Sequence, residues 1–292
     1  MIDVKRLPLV PLFLSAVVCA PPPAASCGAD VPKATAPPAA EVVRDVTYCD
    51  GDEADLPRHR LDLYLPKGRK DFPVLVFAHG GGWKNGDKAE FEFLGQALCK
   101  EGIGVVSVNY RLFPRVKFPA NAEDVARAFA WTSKNIARYG GRPDALFLGG
   151  HSSGGHLVSL LATDETYLRA VGLGSSDVRG VVSISGLYSI PKGRFPLFEN
   201  TEAAARKASP VSQVRGKHPP FLLVYADGDF PRFGAMAEDF AKALRAAKCE
   251  VTCMKIKDRT HGSVAVKIGE MDDPVRRAVV EFIAKNGAKS GK

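Results

Sequence analysis

From residue 41 onward, apolar positions along the chain follow two patterns. Glu41–Cys49 and Arg60–Leu65 alternate apolar with polar residues, the period-two mark of strands with one buried face. Asp50–Pro57 between them reads as a loop. Val74–Ala78, Ala145–Leu148 and Phe221–Tyr225 are unbroken apolar runs, Gly104–Val108 and Val181–Ile184 are similar runs holding one serine each, and Val251–Ile256 is a less regular one. Short unbroken runs are what parallel strands covered on both faces produce. Between them, Phe91–Lys100, Ala120–Tyr139, Leu157–Ala162, Met236–Ala247 and Val275–Ala284 carry apolar residues at helical spacing. In the second of these, Val125, Phe129 and Ile136 share a face. Strand–helix alternation predicts an α/β fold, a mostly parallel central sheet with helices on both faces. Leu187–His218 interrupts the alternation with weak periodicity, prolines, glycines and charges. It predicts a small cap insertion over the strand ends.

The first forty residues follow neither pattern. Lys5 and Arg6 precede an apolar stretch, Leu7–Ala20, of signal-peptide length and too short to span a bilayer as a helix. Pro8 and Pro11 also oppose a spanning helix. Ala24-Ala25-Ser26 then offers small residues before Cys27, an arrangement similar to a lipoprotein cleavage site. The expectation is a signal peptide over 1–26, a Pro/Ala-rich linker over 27–40 and one folded domain over 41–286. An exported protein follows: periplasmic, secreted, or attached to a membrane through lipidated Cys27.

Composition narrows the function classes. With 292 residues, 46% hydrophobic and 25% charged, the chain is ordinary for a globular protein and long enough to build its own core. Forty basic against 32 acidic residues give a net charge of +8. The basic residues are dispersed, so the excess points to solubility and not to a nucleic-acid surface. Of six cysteines, Cys19 and Cys27 fall in the export segment. Cys49, Cys99, Cys249 and Cys253 are an even set that an oxidising compartment allows to pair. Cys249 and Cys253 are expected on one strand, facing one side, as buried thiols or a disulfide and not as a metal site.

Three strand ends carry the chemistry. Gly150-His151-Ser152-Ser153-Gly154-Gly155 follows an apolar strand and precedes a helix expected to begin near His156. Gly-x-Ser-x-Gly in that setting is a nucleophile elbow, which lifts the Ser152 hydroxyl above the strand ends. His79-Gly80-Gly81-Gly82-Trp83 ends an earlier strand. Its glycines let backbone N–H groups approach an oxyanion. Gly81 and Gly82 are the expected donors, joined by the main-chain N–H of Ser153. The loop lacks the spacing of a phosphate cradle. An orienting acid belongs past a later strand, and Asp227 or Asp229 follows Phe221–Tyr225. Only His261 comes after both, in the polar loop Asp258–Ser263. Of the two histidines beside the elbow, His151 is expected to point into the sheet region and His156 to lie on the emerging helix.

From about Glu41 to Ile283 the chain resembles the α/β-hydrolase esterases, in particular the branch holding kynurenine-formamidase-like and feruloyl-esterase-like (BD-FAE) proteins. The resemblance is carried by His79–Trp83, Asn109-Tyr110-Arg111-Leu112, Phe118-Pro119, Glu123-Asp124-Val125, Gly150–His156, Tyr225–Asp229 and His261. It implies Ser152 as nucleophile, His261 as base, Asp229 as orienting acid and a structural Asp124. It also implies hydrolysis of a small-molecule carboxylic ester with no cofactor or metal, and the small Leu187–His218 insertion adds the expectation of short-acyl or aryl esters. An arylformamidase-like amidase and a non-catalytic binding protein of the same fold are the alternatives. Trp83, Tyr110, Phe113, Phe195, Phe198 and Phe230 are candidates to line an acyl or aryl pocket.

Overall fold

Strand pairing in the computed structural model, which describes residues 40–50 and 55–288, follows the two apolar patterns. The strands are β1 (Ala40–Thr47), β2 (Arg60–Pro66), β3 (Phe72–Ala78), β4 (Gly104–Val108), β5 (Gly141–His151), β6 (Gly180–Ile184), β7 (Phe221–Gly228) and β8 (Val251–Thr260). They form one sheet in the order β1-β2-β4-β3-β5-β6-β7-β8. The alternating segments β1 and β2 pair antiparallel at one edge. Every pair from β4 to β8 is parallel. The expected architecture therefore holds: an α/β-hydrolase fold. The predicted signal peptide and nearly all of the predicted linker lie outside the described residues.

The unbroken runs are split between two cores. Val74, Val76 and Ala78 face one side with Leu146 and Leu148, while Leu75, Phe77 and Phe147 face the other. On the first side they meet α2 (Ala120–Asn135), α3 (Ser153–Thr163) and α7 (Phe233–Ala246) through Val125, Phe129, Leu157, Leu160, Phe240 and Leu244. On the second they meet α1 (Glu92–Lys100) and α9 (Pro274–Gly287) through Leu94, Leu98, Val279 and Ile283. Each buried side chain of this size contributes about 1.5–3 kcal/mol, so the central strands tolerate no polar face. Helix α3 is buried along its whole length, so apolar and small residues occupy every side of it and no Asp, Glu, Lys or Arg occurs in it.

Four short helices escape the periodic pattern: α4 (Thr166–Ala170), α5 (Glu202–Ala208), α6 (Pro210–Gln213) and α8 (Ser263–Val266). One or two turns give too few positions for a helical repeat to show. Two of them, α5 and α6, lie in the predicted insertion. Helix α3 starts at Ser153 and not near His156, because Gly154 and Gly155 belong to its first turn. Cys249 precedes β8, so only Cys253 is a strand residue, and the shared strand face expected for the pair does not exist. Among the described residues, Cys99, Cys249 and Cys253 are free thiols.

A buried ion cluster ties the β4 loop to α2. Arg111 grips Asp124 with two side-chain bonds of 2.8 and 2.7 Å and donates its main-chain N–H at 2.9 Å. His59 Nε2 stands 3.1 Å from the same carboxylate, and both side chains are fully buried. Burial alone raises the Asp124 carboxyl, but the bonds from His59 and Arg111 outweigh it and hold it below the usual carboxylate range. Asp124→Ala leaves the Arg111 guanidinium without its counter-charge and is expected to cost on the order of 3–5 kcal/mol in denaturant unfolding. A depressed carboxyl stabilises above its unfolded value, about pH 4, and that contribution disappears as pH falls through the folded value. The stability gap between wild type and variant should therefore narrow in acid. A gap unchanged down to pH 2, or a loss within about 0.5 kcal/mol as for an ordinary surface change, would show that the cluster is not what holds this loop.

Candidate active site

The elbow is built from backbone crowding. Ser152 has φ 54° and ψ −117°, a conformation unfavourable for a residue with a side chain. Its main-chain N–H donates to the Ile184 carbonyl at 2.9 Å, which keeps the turn on the sheet. The glycines permit the close passage of β5, α3 and β3. A β-carbon on Gly154 would stand 2.0 Å from the Ala78 carbonyl oxygen, and one on Gly150 would stand 2.4 Å from the Gly154 carbonyl carbon. The motif is thus a packing solution as well as a chemical one.

Three loops meet at that turn. His261, between β8 and α8, brings Nε2 to 2.9 Å from Ser152 Oγ. Its Nδ1 lies 2.5 Å from Asp229 Oδ1, in the connection from β7 to α7. A carboxylate oxygen accepts, so Nδ1 carries the hydrogen and Nε2 is free to accept the Ser152 hydroxyl proton. Asp229 also accepts from Ser185 Oγ at 2.5 Å and from the Ala226 and Phe230 N–H groups at 3.2 and 3.0 Å. Burial works to raise this carboxyl; the bonds from His261 and Ser185 prevail and keep it below its ordinary range. Asp229 is therefore a carboxylate at neutral pH. Asp227, the other candidate, turns away and accepts the Asp258 and Arg259 N–H groups at 3.0 and 3.2 Å. It ties the end of β7 to β8, where Gly228 pairs with Thr260 past a bulge.

The glycine loop is held from below. His79 stacks on Tyr110 with ring centroids 4.4 Å apart, and the Tyr110 hydroxyl donates to the His79 carbonyl at 2.9 Å. Burial pushes His79 down to about 4, so it is neutral. Arg58 donates to the Tyr110 and Gly86 carbonyls at 3.0 and 3.1 Å, joining the loop to the strand beside it. Gly81 adopts φ 115° and accepts the Asn85 N–H at 3.0 Å; a β-carbon there would stand 2.1 Å from the Asn85 carbonyl oxygen. Gly81 and Gly82 are exposed. Ser153 is the first residue of α3, so its N–H has no acceptor within the helix. Helix α3 aims its positive end at the space beside Ser152 Oγ.

Several expectations change. His151 does not point into the sheet; its Nε2 lies 2.9 Å from the His261 carbonyl. His156 is on α3 as expected, fully buried, bonded to the Trp83 indole at 3.2 Å and to the Ala208 carbonyl at 2.7 Å. Trp83, Tyr110 and Phe198 are buried in the core. Trp83 packs edge-on against Phe195 and Phe198, which seats the insertion on the glycine loop. Phe230 is different: 57% exposed, its ring is 4.4 Å from that of His261. Arg58 and Ser185 escaped the sequence reading. Ser185 left one signal, a polar residue directly after the apolar run of β6.

Similar sequences and structures are found among known proteins. The profile of the family described as BD-FAE matches residues 61–188. A probable isoprenylcysteine alpha-carbonyl methylesterase of Arabidopsis thaliana is 29% identical over 82% of this chain and 54% of its own length. This chain thus spans about half the length of that curated relative. The kynurenine formamidase of Danio rerio is 26% identical over 84% of this chain and 83% of its own. Among solved structures, a truncated carbohydrate esterase from gut microbiota superimposes with a TM-score of 0.75 at 21% identity, covering 87% of this chain and 98% of that one.

The crowding at the elbow predicts a ranking of glycine substitutions. Gly154→Ala drives a β-carbon to 2.0 Å from rigid backbone, whereas Gly155→Ala meets the Ser183 hydroxyl at 2.9 Å and backbone no closer than 3.0 Å, at Gly186 Cα. Gly154→Ala is expected to lower the thermal midpoint far more than Gly155→Ala. Equal midpoints would disprove the packing account.

Proposed function

We propose that this chain, which belongs to the α/β-hydrolase esterase family, hydrolyses carboxylic esters through an acyl-serine intermediate. The observation that carries this reading is the unbroken hydrogen-bonded run from Asp229 through His261 to Ser152. Each member comes from a different loop, which chance packing rarely achieves.

In the proposed cycle, Ser152 Oγ attacks the ester carbonyl while His261 Nε2 takes its proton. Asp229 orients the ring and stabilises the imidazolium. The tetrahedral oxyanion lies against the N–H groups of Gly81, Gly82 and Ser153. Collapse breaks the C–O bond to the alcohol, which leaves with the proton from His261 and an acyl group on Ser152. Water, deprotonated by His261, attacks the acyl carbon, and the serine leaves with the proton returned from His261. No step draws on a cofactor or metal. The insertion is short, which favours short-acyl or aryl esters over long chains.

An arylformamidase-like reading shares the same steps with an amine as leaving group, and the similarity to a kynurenine formamidase keeps it in view. Paired assays on aryl esters of increasing acyl length and on formanilide decide between the two. The ester reading requires a kcat/KM for acetyl or butyryl esters well above that for formanilide; the opposite order overturns it.

Ser152→Ala should lower kcat by roughly 10⁶-fold in a folded protein. Asp229→Asn should cost on the order of 10⁴-fold, since the wrong imidazole tautomer then faces the serine. Asp227→Asn should act on stability and leave most of kcat. Measured at one pH, the reverse order of the two Asp variants would move the acid to Asp227.

Export is part of the same proposal. In a bacterial host with a working export system, the mature chain should begin near Cys27. Purified protein that still starts at Met1 would argue against it, and Cys27→Ala should release the protein from the membrane fraction only if that residue is lipidated.

A further inference from the structure

His151 takes no part in the cycle above, yet it lies against the elbow, the glycine loop and the histidine loop. It is the last residue of β5, directly before Ser152. The His261 carbonyl, 2.9 Å from its Nε2, can only accept, so Nε2 carries the hydrogen. Its Nδ1 faces Gly80, where a β-carbon would stand 2.9 Å away. Its ring lies between those of Phe91, at 6.1 Å, and His261, at 4.8 Å. The side chain is buried, and so has one place to stand.

The segment it holds is short. Only His261 and Gly262 separate β8 from α8. The neighbouring backbone is tied internally: Thr260 N–H donates to Ser263 Oγ, and Ala265 N–H to the Gly262 carbonyl. Those bonds close the turn on itself, while Thr260 pairs with Gly228 of β7 and Val264 and Ala265 sink into the second core, so both flanks are anchored and the His261 main chain lies between them. On the sheet side of this turn, the His261 carbonyl accepts from His151 Nε2. On the outer side, the His261 ring has Phe230 at 4.4 Å and Phe233 at 5.2 Å, apolar contacts with no directional hold.

We infer that His151 is a positioning residue for the proposed reaction: its Nε2–H, fixed against Gly80 and Phe91, sets the His261 backbone so that the imidazole Nε2 meets Ser152 Oγ. The inference rests on the serine reading. It explains why a large polar side chain occupies a tight, buried position beside the nucleophile. The ionisable groups acting on it are His261 and Asp229. Burial first, then the neighbouring His261, push its imidazole down to about 4. It is thus neutral at physiological pH and adds no positive charge beside the imidazolium that His261 becomes.

The test measures kcat and KM of the full-length chain on p-nitrophenyl acetate and on ethyl acetate. The variants are His151→Leu, His151→Asn and His151→Gln, with Ser152→Ala as control. Leu removes the donor, Asn is too short to reach the carbonyl, and Gln carries an amide N–H near the place of Nε2. A displacement of the base by about 1 Å costs on the order of 10²-fold, so Leu and Asn should lose that much kcat with KM little changed. The loss should be greater on ethyl acetate, whose alkoxide needs the proton from His261 more than nitrophenolate does. Gln should recover kcat to within about tenfold of wild type, as restored geometry requires. The downfield His261 Nδ1–H proton resonance should persist in Gln and weaken in Asn. If Leu fails to fold, Asn and Gln carry the comparison. Wild-type kcat in folded Asn or Leu, or an equal loss in Gln and Asn, overturns the role of His151. Activity in Ser152→Ala overturns the serine reading beneath it, a separate outcome.

Discussion

The site depends on one crowded turn. Between the end of β5 and the start of α3 the chain reverses over Ser152, and the reversal works only because β3, β5 and α3 pass within backbone contact of one another. Gly154 lies so close to the Ala78 carbonyl that no side chain fits. The positive φ of Ser152 is a local cost of about 1–3 kcal/mol, sustained by the rigid surroundings. That cost has three consequences. The hydroxyl projects above the sheet, the helix N-terminus opens beside it, and the neighbouring strand ends are close enough for their loops to contribute.

What surrounds the turn is mostly polar and mostly buried, so it is held by directional bonds and not by apolar packing alone. Arg58 and Tyr110 pin the glycine loop. Ser185 and two main-chain N–H groups hold Asp229. His156 links the Trp83 indole to the end of α5. Buried polar groups of this kind are costly unless satisfied, and once satisfied they admit one arrangement. Below them the two apolar cores supply the bulk of the stability. The division is clear: area burial fixes the sheet and helices, and hydrogen bonds fix the loops at the strand ends.

Most of the frame was legible in the order of residues. Apolar runs marked β3, β4, β6 and the start of β7 because both faces of those strands are covered, whereas the edge strand β8, only partly covered, showed only a less regular run. The ends of β5, β7 and β8 were not legible. Gly149, Gly150, Gly228 and Thr260 carry no apolar signal, although the ladder reaches them. Four helices of one or two turns were too short to show a period. Among the aromatic residues, sequence had no means to separate Trp83, Tyr110 and Phe198, which fill the core, from Phe230, which stands in solvent beside His261.

The candidate chemistry divides in the same way. A serine between glycines, a glycine loop after a strand and a single late histidine are local patterns, each set by what one turn demands of its own residues. Sequence by itself therefore determined the fold class, Ser152, His261 and the glycine loop. It narrowed the acid to two residues separated by Gly228. The choice of bonding partner was decided in three dimensions: Asp229 reaches His261, while Asp227 is engaged by the β8 backbone. The positions of His151, Ser185 and Arg58 were likewise decided there. A hydrogen bond across strands depends on where two distant segments come together, and that is a property of the packed sheet and not of either segment.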